Sequence, residues 1–406
     1  MGLQMKEKQA LTREVRSRYR SASKKDKRKI LDEFVENTNY NRKYALRVLN
    51  TKPVKEVSVA VDGKTIKLKP EKKKRKKREG KRIYDDEVIA SLRLIWQFFW
   101  CKCGKILAPL MRDQMRFMAE WPAFGITPDI REKLEKISPA TIDRVLKKDR
   151  DAMRLKGKSC TKSNNTLKNR IPIRTFYTSA ERKTPGYIQV DTVHHCGNTT
   201  AGEYVLTLTG TDVYSGWICL YGLLNKAQKW TSEALCDIRA TLPFPFLEFH
   251  SDNGTEFIND NVERWCIQEH VPFTRSRVHK SNDNCFVEQK NDKGAREYIG
   301  YDRLTTPAEL LCVNKVYESL NPLLNFFMPT MKLESKTKVG AKETRKHDRP
   351  RSPYARLMES DTLSEDVKVK LARLYARYNP VALQYSVNLG VIALRDEIER
   401  KLSARL

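Results

Sequence analysis

Three carboxylates stand where folding could bring them to one site. Asp191 closes an apolar run, Asp252 opens the one-letter sequence DNGTEF, and Glu288 lies in a stretch with helical spacing. Hard cations such as Mg²⁺ prefer oxygen ligands and bind through carboxylates, so three such acids together would form a minimal metal site. One acid by itself is more simply a surface charge, because charged side chains are mostly exposed. The combination of all three favours a site.

Runs of strand and helix character surround these acids and would position them. In chain order they are three strands, a helix, a strand, a helix, a strand and a helix, over residues 187–193, 203–212, 217–224, 230–241, 246–249, 255–268, 271–275 and 285–297. Glu256 is expected near the start of a helix, where the helix dipole favours an acid. Asn291 follows Glu288 by three residues, so the two should share a helix face.

The motifs around these acids resemble those of the DDE transposases and retroviral-type integrases. The 35 residues between Asp252 and Glu288 match the D,D-35-E spacing, and the sequence SDNGTEF matches the (S/T)DNGxEF signature. The resemblance implies an α/β core of ribonuclease-H-like fold. It also implies that Asp191, Asp252 and Glu288 are the catalytic residues and the ligands of two Mg²⁺ ions, for which Mn²⁺ can substitute. The reaction would be polynucleotidyl transfer by two-metal phosphoryl chemistry.

DNA contacts near this core are implied by the same resemblance. The polar loop before the last helix corresponds to a flexible loop that contacts substrate DNA in the family, and Lys280 and Asn282 are its best candidates. Asn291 would face metal and DNA from the helix itself. The resemblance is specific across residues 185–301 and weaker outside them.

The charge of the chain indicates a polyanionic partner. Its 406 residues carry a formal net charge of +28, and neutralising phosphates with Lys and Arg releases counterions. Double-stranded DNA is therefore the expected partner. No apolar run approaches the roughly 20 residues of a membrane-spanning helix, and the start lacks a signal-peptide pattern. The nine cysteines are scattered and lack zinc-finger spacing, so a cytoplasmic, nucleoid-associated protein is expected.

The first third of the chain has the pattern of a DNA reader. Ser23 opens one helix and a second begins near Asn41, with Arg42, Lys43 and Arg47 on its outer side. Two short helices around a tight turn predict a helix-turn-helix, although an ordinary helical hairpin fits the same pattern. The basic block at 69–82, with Lys74 and Arg75, would follow phosphates or serve as a solvated linker.

Residues 85–154 predict a second helical DNA-binding module. Asp85–Trp100 and Ile106–Met118 are amphipathic, and the helix after Ser138 carries Arg144 and Lys147 outward. Members of the resembled family often carry tandem helix-turn-helix units before the core. Retroviral integrases instead begin with a zinc domain, but no histidine occurs here before His194. This reader should therefore be free of metal.

The C-terminal part predicts a basic arm at 332–351 followed by two helices broken at Asn379-Pro380. The arm either contacts phosphates or is simply solvated. The resulting division of the chain is a helix-turn-helix region at 1–52, a basic linker at 53–84, a second helical DNA-binding module at 85–154, a linker at 155–184, an integrase-like catalytic core at 185–322, and a basic arm with C-terminal helices at 323–406.

Three functions remain open on the sequence. The leading one is a transposase that binds the ends of its element, cuts there and joins the ends to target DNA. Pairing two ends predicts a homodimer or larger assembly on DNA. The alternatives are a non-catalytic, domesticated DNA-binding regulator that retains the fold, and a nuclease of the same fold. The long N-terminal region and the 35-residue interval argue against a nuclease.

Overall fold

Capped helices and a small apolar core build the first of two units in this computed structural model, residues Met1–Lys81. Its elements are α1 Met5–Ser21, α2 Lys24–Thr38, α3 Arg42–Asn50, β1 Val57–Val61 and β2 Lys64–Leu68. As predicted, Ser23 caps α2 by accepting a hydrogen bond from the Asp26 amide at 3.2 Å, and Asn41 caps α3. The core of this unit comprises Tyr19, Ile30, Leu31, Phe34, Ala45 and Leu49.

The structure describes residues 3–51, 57–61, 64–68, 83–152, 177–178, 180–225, 228–254, 256–277, 284–339 and 342–404. The second unit is Arg82–Leu406. It opens with α4 Asp86–Phe98, α5 Gly104–Ala119, α6 Pro128–Lys136, α7 Pro139–Val145 and α8 Lys147–Ala152. Asp85, Thr127 and Ser138 cap three of these helices through their side chains. Proline follows Thr127 and Ser138 at the first helical position, where its missing N–H costs nothing. The buried side chains of α4–α7 belong to one hydrophobic core with those of the sheet that follows.

A five-stranded sheet forms the centre of the second unit. Its strands are β3 Tyr187–His194, β4 Leu206–Asp212, β5 Ile218–Leu223, β6 Glu248–Ser251 and β7 Phe273–Arg275. Their spatial order is β5-β4-β3-β6-β7. The first three pair antiparallel, whereas β6 runs parallel to β3 and β7 parallel to β6. This is the order of a ribonuclease-H-like sheet, so the predicted fold class is confirmed.

Helices between and after these strands cover the sheet. They are α9 Gln228–Thr241, α10 Asp260–Gln268, α11 Cys285–Lys290 and α12 Glu297–Ile299. One helix was expected over 285–297, but a π-helical segment, Asn291–Arg296, lies between α11 and α12. Its Gly294 lies against the sheet so closely that a Cβ would come within 2.8 Å of Ile218 Cδ1. The wider turn thus accommodates a close approach of helix to sheet.

Three asparagines cover the outer edge of strand β5. They lie on α13 Pro307–Pro322 and on the π-helical turn Leu323–Phe327 that continues it. Asn314, Asn321 and Asn325 each accept a hydrogen bond from one backbone N–H of β5 and donate one to the carbonyl of the same residue. The edge peptides are therefore paired by side chains where a sixth strand would otherwise pair.

The remainder of the unit is a hairpin and three helices. Their bounds are β8 Leu333–Val339, β9 Lys342–His347, α14 Pro353–Met358, α15 Glu365–Arg377 and α16 Pro380–Ser403. The last two confirm the predicted helices and the break at Asn379, which caps α16. The hairpin lies within the basic arm, for which the sequence analysis assigned no secondary structure. No described helix is both long and apolar enough to cross a membrane.

Candidate active site

Asp191 lies on the central strand of the sheet. It is half-buried and faces Thr209 of β4 in the strand register. Its Oδ1 accepts a hydrogen bond from the Thr192 amide at 2.8 Å, and its Oδ2 accepts one from Asn291 Nδ2 at 2.6 Å. Burial raises the pKa of Asp191 well above its ordinary value, and the negative charge of Asp252 raises it further. Asp191 is thus a carboxylate held in place by two donors but short of positive charge.

Asp252 comes to the same end of the sheet because of the parallel pairing. Val190 of β3 pairs with Ser251 of β6, and each acid is the next residue of its chain. Asp252 Oδ1 accepts a hydrogen bond from the Gly254 amide at 2.9 Å, which starts the tight turn predicted at this position. A Cβ on Gly254 would lie 3.0 Å from Asp252 Oδ1 and 2.8 Å from the carboxylate of Glu256. Glycine therefore lets two carboxylates approach one backbone position.

Glu288 lies on α11, which is attached directly to the strand of Asp191. The side chain of Gln189 is fully buried, and its Oε1 accepts hydrogen bonds from the amides of Phe286 and Val287 at 3.0 and 3.4 Å. The Glu288 side chain is exposed. Desolvation and the negative charge of Asp252 both raise its pKa. Gln189, two residues before Asp191, thus fixes the first turn of this helix. The negative charge of Asp252 acts on Glu288 from that position.

The three acids form a cluster of mutually repelling negative charge, and their oxygen donors suit a hard divalent cation. Within the described residues neither Asp191 nor Glu288 forms an ion pair with Lys or Arg, and no three Asp, Glu, His or Cys side chains already have metal-binding geometry. The Oδ1 atom of Asn291 is buried without a hydrogen-bond partner.

Glu256 is the residue of this site that sequence reasoning interpreted wrongly. It was expected near a helix start, but α10 begins only at Asp260. The Glu256 side chain instead turns inward, where Oε1 accepts a hydrogen bond from Thr192 Oγ1 at 2.6 Å and lies 3.7 Å from His194 Nε2. Although burial raises the pKa of Glu256, the nearby His194 ring and the hydrogen bond from Thr192 outweigh burial and lower that pKa to about 2.

His194 extends this buried network, since its Nδ1 lies 3.0 Å from Tyr204 OH. The alternation of side chains along β3 could have indicated this network. Thr192 and His194, one and three residues beyond Asp191, must lie on the same face of the strand.

Five of the predicted DNA contacts are exposed, whereas Asn291 is half-buried beside Asp191. Arg42, Lys43 and Arg47 lie on the outer side of α3; Arg42 forms an exposed ion pair with Asp32, and Arg47 stacks 5.0 Å above the ring of Tyr44. In the second unit, Arg144 on α7 and Lys147 at the start of α8 are also exposed. Lys74, Arg75, Lys280 and Asn282 lie outside the described residues.

The chain is similar to known proteins over much of its length. Residues 181–281 match the family model described as integrase core domain. The uncharacterized protein y4rM of Sinorhizobium fredii (strain NBRC 101917 / NGR234) is 31% identical over 339 residues, which cover 84% of this chain and 91% of that protein.

Two solved structures are also similar. The catalytic core domain of BIV integrase is 15% identical with a TM-score of 0.29, and it covers 43% of this chain and 95% of its own. The HTLV-2 integrase catalytic core domain in complex with magnesium is 17% identical with a TM-score of 0.27, and it covers 36% of this chain and 90% of its own. The family match, the long relative and the order of the strands lead to one assignment: the chain belongs to the integrase core domain family, within the ribonuclease-H-like superfamily of integrases and transposases.

Proposed function

We propose that the protein is a transposase that binds the ends of its mobile element, cleaves DNA there and joins the ends to target DNA. Asp191, Asp252 and Glu288 would act together as the catalytic triad and as the ligands of two Mg²⁺ ions, with Mn²⁺ as a substitute. The observation that carries the proposal is the convergence of the three acids. Two follow paired residues of neighbouring parallel strands, and the third lies on a helix attached to the first strand through Gln189.

Bound divalent ions would activate the attacking oxygen and stabilise the leaving oxygen of the phosphodiester. The protein's own task is orientation. Each oxygen of Asp191 accepts one hydrogen bond, from Thr192 or from Asn291. A carboxylate oxygen can accept about two, so each keeps one lone pair for a cation. The short bond from Asn291 also fixes the rotation of the carboxylate, which is the usual work of a residue behind a metal ligand.

DNA recognition would use the basic helical parts of both units. In this proposal residues 1–52 and 85–154 read the element ends. Arg42, Lys43, Arg47, Arg144 and Lys147 contact the duplex, as do Lys74, Arg75, Lys280, Asn282 and Asn291. A homodimer or larger assembly would hold two ends, and the protein would work in the cytoplasm on the nucleoid. In this proposal both parts act as helix-turn-helix units.

A labelled-end assay tests the function and separates the alternatives. Duplexes carrying the terminal repeats that flank this gene are incubated with the protein, unlabelled target DNA and Mg²⁺. A transposase gives labelled products joined to the target, whereas a nuclease gives shortened strands only. A domesticated regulator binds the ends and yields neither product. End-specific binding without any metal-dependent product would refute the proposal.

The Asp252→Asn variant tests the site assignment in the same assay. The variant should bind element ends as the wild type does, because Asp252 follows β6 in a turn that asparagine also adopts. Cleavage should fall by at least about 100-fold, since loss of a carboxylate ligand weakens metal binding more than loss of a residue behind it, which costs 10–100-fold. Cleavage at the wild-type rate would remove Asp252 from the site.

A further inference from the structure

A cavity of about 290 Å³ lies in the second unit, on the side of α11 that faces away from Glu288. Phe286 and Lys290 of α11 line it, and because they are four residues apart they share one face of the helix. Glu288 lies two residues from each, on the opposite face. Apolar side chains such as Ile218 and Leu324 form much of the remaining wall. We call this space the rear cavity.

The size and walls of the rear cavity are those of a small-molecule site. Binding pockets for small ligands have volumes of roughly 300–1,000 Å³, mostly apolar walls and a few polar groups that orient the ligand. No Asp or Glu is among the described residues that line the rear cavity. Its polar groups therefore suit an anion.

Lys290 contributes a positive charge that has no counter-ion. Among the described residues its half-buried side chain forms neither an ion pair nor a hydrogen bond, and the charge that acts on it is the cation of Arg356. Its Nζ lies 3.5 Å from the position that a Cβ on Gly216 would occupy, and Gly216 lines the same cavity. A charge taken out of water is costly unless it is paired, so this ammonium favours an anionic ligand.

Two further donors belong to the same cavity. Thr211 is 1% exposed and lines it, yet within the described part of the chain Thr211 Oγ1 has no hydrogen-bond partner. Lys332 Nζ donates to the carbonyl of Val213 at 3.0 Å, which uses one of its three N–H groups. Burial and the positive charges of Arg356 and Lys290 lower the pKa of Lys332 to about 8. The two ammonium groups therefore repel each other, and an anion bound by both would remove that repulsion.

The other two lysines of the rear cavity already have a partner. Lys102 Nζ lies 2.7 Å from Glu297 Oε1, and Lys293 Nζ lies 3.9 Å from Glu297 Oε2. The position for an anion is therefore at Lys290 and Lys332. Since the rest of the wall is largely apolar, the ligand should carry an apolar body as well as its charge.

We propose that the rear cavity binds a small organic anion, whose carboxylate or phosphate group lies between Lys290 and Lys332 and accepts a hydrogen bond from Thr211. Its apolar body would lie against Phe286 and Leu324. The ligand would contact α11 from behind Glu288. The inference goes beyond the proposed function and does not depend on it, because every measurement that tests it is a measurement of binding.

Calorimetric titration of the full-length protein with phenyl phosphate, in EDTA and without DNA, tests the site. EDTA removes the divalent ions through which a phosphate could bind the three acids. Phenyl phosphate should bind once per chain. Inorganic phosphate lacks the apolar body and benzyl alcohol lacks the charge, so each should bind at least about tenfold more weakly.

Two variants of the cavity and one control locate the binding. Lys290→Met should weaken the binding of phenyl phosphate at least about tenfold, because hydrogen bonds to a charged group are lost. Thr211→Val keeps the shape of the side chain and should weaken binding about threefold through loss of the hydroxyl. Lys315→Met, which removes an exposed lysine from α13, should bind as the wild type does.

Thermal unfolding separates loss of binding from loss of folding. Without ligand, the unfolding midpoint of Lys290→Met should be at least that of the wild type, because the substitution removes a charge that has no counter-ion. A lysine with a purely structural role would give a lower midpoint.

Three results would overturn the inference: no binding of phenyl phosphate by the wild type, equal binding by the wild type and both cavity variants, or equal binding of phenyl phosphate and inorganic phosphate. The last would indicate attraction to surface charge alone. If the wild type forms no strand-transfer product but binds phenyl phosphate through Lys290, only the proposed function fails.

Discussion

At the scale of single residues, Asn291 has a role that its spacing from Glu288 only partly predicts. The sequence places both residues on one helix face, but the side chain of Asn291 reaches across to the first acid, 2.6 Å from Asp191 Oδ2. It stands where α11 gives way to the π-helical segment. Neither the π turn nor the cross-contact can be read from a single segment, since both depend on how the helix meets the sheet.

The Asn291→Ala variant should cleave element ends about 10–100-fold more slowly than the wild type, which is the usual cost of losing a residue behind a metal ligand. Because the defect lies in orienting Asp191, a higher Mg²⁺ concentration should recover part of the rate. Cleavage rates measured across a Mg²⁺ titration check this. A loss that no Mg²⁺ concentration relieves would contradict this orienting role of Asn291.

His195 predicts a pH dependence of stability. It is fully buried, its Nε2 lies 2.8 Å from Thr207 Oγ1, and burial lowers its pKa to about 3. Below pH 6.5, the ordinary pKa of histidine, His195 becomes protonated in the unfolded chain but stays neutral in the folded chain. The free energy of unfolding should therefore fall by about 1.4 kcal/mol for each pH unit below 6.5, until pH approaches 3.

Urea unfolding at pH 7.5 and pH 5.5 measures this contribution, with tryptophan fluorescence as the readout. All six tryptophans lie between Trp96 and Trp265, so the signal reports on the second unit. The wild type should lose about 1.4 kcal/mol more between the two pH values than His195→Gln does. An equal loss in both proteins would contradict the assignment.

At the scale of elements, strands and caps were the most predictable features of the fold. The alternation and turn signals around 187–223 predict three strands that the structure confirms with shifts of a few residues at their ends. Caps such as Ser23 and Ser138 were also predictable, because they act within four residues of chain. The strand order, by contrast, follows from the match to the family and not from the local patterns.

The asparagine edge of β5 could not be predicted from the sequence. Asn314, Asn321 and Asn325 look like polar positions on an ordinary helix, and their partners lie about 100 residues earlier in the chain. Their amides pair both polar groups of a peptide unit, which an asparagine can do because it carries a donor and an acceptor side by side. Only the packing of α13 along β5 reveals that role.

Replacing Asn325 by leucine should destabilise the second unit by about 2–6 kcal/mol. Asn325 is 3% exposed and forms two hydrogen bonds of 2.7 Å with Ile218. The change leaves a buried N–H and carbonyl unpaired at roughly 1–3 kcal/mol each. Asn314→Leu should cost less, because Asn314 is half-buried and its second bond is 3.3 Å long. Urea unfolding with tryptophan fluorescence ranks the variants, and equal stability of Asn325→Leu and wild type would contradict this account.

At the scale of the whole molecule, the charge of the protein was predictable from its sequence, whereas the packing of its helices was not. The formal net charge of +28 was visible in the composition and indicated a nucleic-acid partner. The folding of the chain into two units, each with its own apolar core, was not visible in the composition. The buried side chains of α4–α7 join the core of the sheet because their apolar stripes face inward, although the sequence treats those helices as a module of their own. Local periodicity identifies a stripe but does not identify what covers it.

The central claim is that three converging carboxylates cut and join DNA, and Glu288 offers the most direct test of it. Glu288→Gln changes one exposed side chain on α11 and leaves the helix attached through Gln189. Glu318→Gln, at another exposed glutamate, which lies on α13, serves as the matched control. Strand-transfer product is measured for all three proteins with labelled element ends, in Mg²⁺ and in EDTA. The account predicts product from the wild type and Glu318→Gln in Mg²⁺ only, and none from Glu288→Gln. Product from Glu288→Gln at the wild-type rate, or from the wild type in EDTA, would contradict it.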